Sequence, residues 1–220
     1  MILVFFLELL VLFFLSRSLT SHLSFLLRAI FRSNRVTIIL MAIIFLPGTI
    51  IHEFAHAIMA KLLFVYVGRM ELMPQLHDES LKLGSVEVGK TDIVRNFLIG
   101  IAPFIVGTSL LLLVLYYSFT NNIFGFNLLT FVVLFFTFVI SNTMYSSRKD
   151  MEGAVEFFLL VVVPIIFLYF IGVRIPGLSF ETLKGSGVEN FFRMSTIFLA
   201  LPMLLDVVFI VFVKILNKRN

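Results

Sequence analysis

The chain has 220 residues, 60% of them hydrophobic and only 14% charged, with a mean hydropathy of +1.09; that balance cannot cover a water-facing surface, and an integral membrane protein is expected. The net charge of +4 and pI of about 9.5 come from basic residues set between apolar runs, where they act as topology signals, so no nucleic-acid partner is expected. Cysteine is absent, which excludes disulfides, thiol catalysis and thiolate metal ligands and leaves histidine and carboxylate to hold any metal.

Met1–Leu15 is apolar and lacks a basic start or a small-residue cleavage site before Arg17, so it reads as an uncleaved anchor. At about 1.5 Å per residue it reaches about 22 Å, and it spans a bilayer with Ser16 and Arg17 snorkelling or else lies at the surface. The following "SLTSHLSFLLRAIFRSNR" mixes leucine and phenylalanine with Arg28, Arg32 and Arg35, which predicts an interfacial amphipathic helix. Longer apolar runs follow at 36–63, 94–118, 127–145, 154–172 and 192–215, each long enough to cross a hydrocarbon core about 30 Å thick. The expected fold is a single-domain, all-α polytopic membrane protein with about six transmembrane helices.

A small membrane-associated β-hairpin or sheet is expected after the second run. "FVYVGRMELM" (Phe64–Met73) alternates like a strand, and "LKLGSVEVG" (Leu81–Gly89) does so again with a phase slip at Gly84–Ser85 that predicts a bulge. Arg174–Asn190 reads as a polar loop. With six spans and both ends on one side, the loops of that side hold 10 of the 17 basic residues, which leans towards cytoplasmic termini in a multi-pass protein of a prokaryotic cell membrane.

The chemistry concentrates in "TIIHEFAHAIMAKLLF", Thr49–Phe64. Positions four apart lie one turn along the same helix face, so His52 and His56 can point their imidazoles at one metal ion, with Glu53 beside them to take a proton from water. Zinc suits such a set because it accepts nitrogen and oxygen ligands tetrahedrally, keeps a position for water and lowers that water's pKa to about 7. A random chain of this composition would contain the pattern roughly two times in a thousand. The plainer explanation, buried polar residues satisfied by neighbouring helices, must account for three ionisable groups in an apolar span, each costing about 2.5–3.5 kcal/mol or more against lipid. Pro47 and Gly48, one turn earlier, either loosen the helix around a polar cavity or serve helix packing.

Two imidazoles leave a tetrahedral site one protein ligand short. His22 and His77 lie in polar segments and read as surface residues; the carboxylate candidates are Asp150, Glu152, Glu156, Asp206 and Glu8. Asp206 is the aspartate inside the last apolar run, where it could bind metal, pair with a basic residue or shape a cavity. Asp150, in "SNTMYSSRKDMEG", closes the fourth run on the side where the His52/His56 helix ends.

With these residues together, the chain resembles the site-2 protease family of intramembrane zinc metalloproteases. There a membrane-embedded HExxH helix is joined by an Asp in a later "NxxPxxxLDG" segment. Asn142 and Asp150 stand eight residues apart, as in that pattern, and the strand-like region and "GIAPFIVG" are similar to the family's core. The resemblance covers Val36 to Gly153, with additional helices at 1–16, 154–172 and 192–215. Tyr145 replaces the pattern's proline, Lys149 its leucine, and glycine follows Asp150 by three residues instead of one. The resemblance implies one Zn2+ per chain held by His52, His56 and Asp150, Glu53 as general base, and Asn142 near the substrate. It also implies a membrane-spanning protein substrate, unwound and held extended within the lipid bilayer, with the strands between Phe64 and Val88 able to pair with it. The rival expectation is a non-catalytic metal-binding protein or a metal transporter using the same histidines. Gly185–Ser186–Gly187 has no following histidine, and aspartyl catalysis would need paired intramembrane aspartates.

Overall fold

The computed structural model describes residues 1–71, 75–77, 80–82, 84–145, 163, 167 and 187–217. Within these, five helices and four short strands follow one another: α1 (Ile2–Phe31), α2 (Asn34–Leu62), β1 (Val67–Glu71), β2 (Gln75–His77), β3 (Ser80–Lys82), β4 (Ser85–Val88), α3 (Ile93–Thr120), α4 (Leu128–Thr143) and α5 (Gly187–Asn217). The fold is mostly helical. Four helices, α1, α2, α3 and α5, are long and apolar enough to cross a membrane, as an integral membrane protein requires. α4, at 16 residues, is shorter. The expected run 154–172 lies almost wholly outside the described residues.

α1 corrects the expectation of a short anchor followed by a separate interfacial helix. Its buried residues are Phe5, Leu9, Leu12, Ser16, Leu19, Leu23 and Leu26, spaced alternately four and three apart, so a single seam runs through the polar stretch without a break. The hydroxyls there bond backwards to their own helix, as Thr20 Oγ1 does to the Ser16 carbonyl at 2.8 Å, and so offer the backbone no reason to stop. Arg32, in the left-handed region at φ 49°, ends the helix by donating its N–H to the Arg28 carbonyl.

Ser33 caps α2, accepting from the Val36 N–H at 3.4 Å. α2 then runs through Pro47 without ending. Gly48 proves to be a packing position: a Cβ there would meet the Thr143 hydroxyl and Val139 of α4. The C-terminus closes on a left-handed Phe64 (φ 58°), with Phe64 N–H donating to the Lys61 carbonyl and Val65 N–H to that of Ala60. This Schellman arrangement brings Val65 onto Ala60 and Ile99 and turns the chain from α2 into β1.

β1 pairs antiparallel with β4, and β2 with β3, giving two two-stranded sheets. The bulge predicted at Gly84–Ser85 lies elsewhere. The register slips between Val67 and Met70, a step that contains Gly68, where a Cβ would press on Glu87; Gly84 instead precedes β4 and abuts α2. Val67 and Val88 cover the Ala60–Val65–Ile99 cluster, which fixes the sheet against the C-terminal half of α2 and the start of α3. That start is capped by Asp92, whose carboxylate accepts from Arg95 N–H at 3.0 Å. α5 begins at Gly187, so the last residues of the expected polar loop form its first turn.

Candidate metal site

His52, Glu53 and His56 occupy consecutive turns of α2, at a level where α3 and α4 both press on it. His52 Nδ1 lies 2.7 Å from the carbonyl of Thr143, and His56 Nδ1 lies 2.8 Å from that of Ile99. A carbonyl only accepts, so each Nδ1 carries a proton and donates it, which leaves the Nε2 atoms to meet one another. Those two Nε2 atoms face one another at 3.2 Å, with the ring planes at 75°. At that distance the pair can share one proton or ligate one cation.

The separation tests the fit to zinc. Two nitrogen ligands at about 2.0–2.1 Å in a tetrahedron stand about 3.3–3.4 Å apart, within about 0.2 Å of the spacing here. The carbonyl on each Nδ1 is the outer partner that holds a metal-binding imidazole in its tautomer and orientation. The residues present fit the ion.

A helix end supplies one carbonyl and a proline within a helix the other. Thr143 is the last residue of α4, whose final carbonyls have no intrahelical donor. Ile99 lies inside α3, but the residue four ahead is Pro103, which has no N–H to give. Pro103 thus frees the acceptor that holds His56. Neither carbonyl was among the expected site groups; a proline four residues after Ile99 in "GIAPFIVG" was the readable signal for one of them.

Glu53 and His56 are buried and, with His52, line a cavity of about 690 Å³. β4 forms one wall: Ser85, Val86 and Val88 face the cavity, and Lys90 and Asn96 stand at its sheet end. A methyl on Gly84 would come within 2.8 Å of Thr49 Cγ2 and 3.1 Å of Glu53 Oε1, so the strand enters directly over the glutamate.

The remaining candidates separate. Asp150, Glu152 and Glu156 lie outside the described residues. Among the described residues no group of three or more His, Asp or Glu side chains converges as a ligand set, so Asp206 is not brought to the histidines. Asp206 is fully buried on α5 and accepts from Asn142 Nδ2 at 2.8 Å. Asn142 lines the cavity, but its amide also donates to the Phe138 carbonyl at 2.9 Å, so its N–H groups anchor α4. Glu8 stays on α1 with one buried oxygen, Oε2, lacking a hydrogen-bond partner. His22 bonds to the Ser18 carbonyl of its own helix at 2.7 Å, and His77 pairs through β2 with Ser80 of β3. No family model, curated protein or solved structure matches the chain.

Proposed function

We propose that the chain is an intramembrane zinc metalloendopeptidase of the site-2 protease type, cleaving membrane-spanning protein substrates. The observation that carries this reading is the pair of Nε2 atoms 3.2 Å apart, both Nδ1 atoms held by carbonyls, beside a buried glutamate in a cavity walled by a strand. His52 and His56 would hold one Zn2+ per chain, with Asp150 to complete the set. Zinc, when bound, supplies the Lewis acidity that brings the pKa of water down to about 7.

Glu53 takes the proton of the attacking water on its carboxylate and returns it to the leaving amine nitrogen. β4 holds the substrate. Among the described residues it pairs with β1 alone, so its other edge offers N–H and C=O groups to an unwound segment, replacing hydrogen bonds the substrate loses on leaving its helix. Asn142 braces the wall opposite. The protein sits in this reading as a multi-pass chain of a prokaryotic cell membrane with cytoplasmic termini.

The test is the purified Glu53→Gln variant: cleavage of a transmembrane substrate is expected to vanish while zinc stays near one per chain. Cleavage retained at the parent rate would remove Glu53 from its role. Zinc flux through vesicles without cleavage by the parent would favour a transporter.

A further inference from the structure

A second cavity, of about 570 Å³, lies between α1 and the first turns of α2. Arg17, Ser21, Ser24 and Arg28 border it at successive spacings of four, three and four, one face of α1, and Thr37 closes it from α2. Phe14, three residues before Arg17, and Phe25, four after Ser21, are exposed at the margin of the same face.

Hydrogen-bond roles decide what fills this space. Thr20 donates its hydroxyl proton to the Ser16 carbonyl, Ser24 to that of Ser21 and Thr37 to that of Ser33, so these hydroxyls turn lone pairs to the cavity. The arginines offer only N–H groups, and Arg17 is steadied over the Phe13 ring at 4.5 Å. Among the described residues no carboxylate lines the cavity. A phosphate would face hydroxyl lone pairs and a metal cation would face guanidinium charge. Water, donor and acceptor at once, satisfies both kinds of group.

The two cavities approach from opposite ends of α2. Arg28 and Thr37 lie beside the α1–α2 turn; His52 is 18 residues along α2 from Asn34, about 27 Å, and the sheet lies beyond it. Both cavities share Thr20, Asn142 and Tyr145 as walls, so they abut beside the histidines. A substrate strand laid on β4 fills the sheet-side cavity and obstructs water from that direction.

We propose that the α1–α2 cavity is a separate inlet for hydrolytic water, opening on the face opposite the sheet, with Arg17 and Arg28 admitting water while turning cations away. This rests on the protease reading above. The test uses the absence of native cysteine: Ser21→Cys, Ser24→Cys and, on the exposed side of α2 turned away from Thr37 and Met41, Ile43→Cys are each placed in the full chain in vesicles. They are exposed to membrane-impermeant thiosulfonates of either charge. Positions 21 and 24 are expected to react at least about 10-fold faster than 43, and faster with the anionic reagent than with the cationic one. A bulky adduct on folded Ser24→Cys, and independently Ser24→Trp, is expected to lower kcat about 10-fold or more with KM and zinc content unchanged. Equal labelling at 24 and 43, faster reaction with the cationic reagent, or full kcat with the cavity plugged would overturn the inlet. A parent that cleaves nothing overturns the protease reading, and the inlet's role with it, even where labelling shows the cavity wet.

Discussion

Asn142 Nδ2 donates to Asp206 Oδ1 at 2.8 Å, tying α4 to α5 one residue before the carbonyl that holds His52. Asp206→Leu leaves a buried amide N–H without its acceptor, a cost of about 1–3 kcal/mol. Asp206→Asn keeps a carbonyl oxygen in place and is expected to lose much less. Thermal unfolding in detergent measures both. Zinc content is expected to survive in the asparagine variant, because Asp206 stands apart from the histidines; its loss there would make Asp206 a ligand.

Pro103→Ala has two expected effects of opposite sign. It removes a residue about 3 kcal/mol less favourable than alanine within a helix, so the metal-free protein should gain stability. The new N–H at position 103 also competes for the Ile99 carbonyl that now holds His56, and loss of such an outer partner weakens metal binding about 10-fold or more. Competition with a graded chelator series, alongside unfolding of the apo protein, reads the two effects separately. A variant with unchanged zinc affinity would deny the proline this role.

At Gly84 a β-branched side chain has nowhere to go. Its Cβ alone would stand 2.8 Å from Thr49 and 3.1 Å from Glu53, so Gly84→Val must push the start of β4 off α2 or move the glutamate. Cleavage is expected to fall by about 10²-fold, the scale of a misplacement near 1 Å, while zinc content holds near the parent value. An unimpaired Gly84→Val enzyme would show that β4 does not set the position of Glu53.

Asp92 gives the start of α3 a pH dependence with a definite sign. The Arg95 backbone N–H, and then the Arg95 guanidinium at 3.2 Å, hold its carboxyl below the ordinary aspartate value. A lowered folded pKa means the cap contributes fully above the unfolded value of about 3.9 and loses its contribution as pH falls through the folded value below that. Amide protection in the first turn of α3, relative to the intrinsic exchange rate at each pH, should therefore fall below about pH 4, and Asp92→Ala should show the lower protection without that pH step. A parent whose exchange kept the same protection down through that range would remove the cap as its cause.

The spacing of His52, Glu53 and His56 was legible because helical periodicity alone puts i and i+4 on one face, and the apolar runs at α2, α3 and α5 were legible by length. The sheet was legible as alternation, yet its bulge was misplaced: a glycine lies both in the register slip between Val67 and Met70, as Gly68, and at a close approach, as Gly84, and only tertiary contact separates the two. α1 was misread because polarity between Ser16 and Arg28 resembles a boundary when taken locally, whereas the buried seam that makes it one helix spans 22 residues from Phe5 to Leu26. The grips on the histidines are main-chain atoms, Thr143 O and Ile99 O, whose availability depends on where a helix stops or meets a proline and not on residue type.

Each imidazole is braced by a different neighbour, His52 by the end of α4 and His56 by the middle of α3, so a cation held by the pair would act as a strain gauge spanning three helices. Parting either neighbour from α2 would then rotate one ring away and release it before any helix melts. Retention of metal under rising detergent or temperature would then report the integrity of the bundle's midsection earlier than circular dichroism does, and a ligand that wedges α3 from α2 would inhibit by eviction without ever touching the ion.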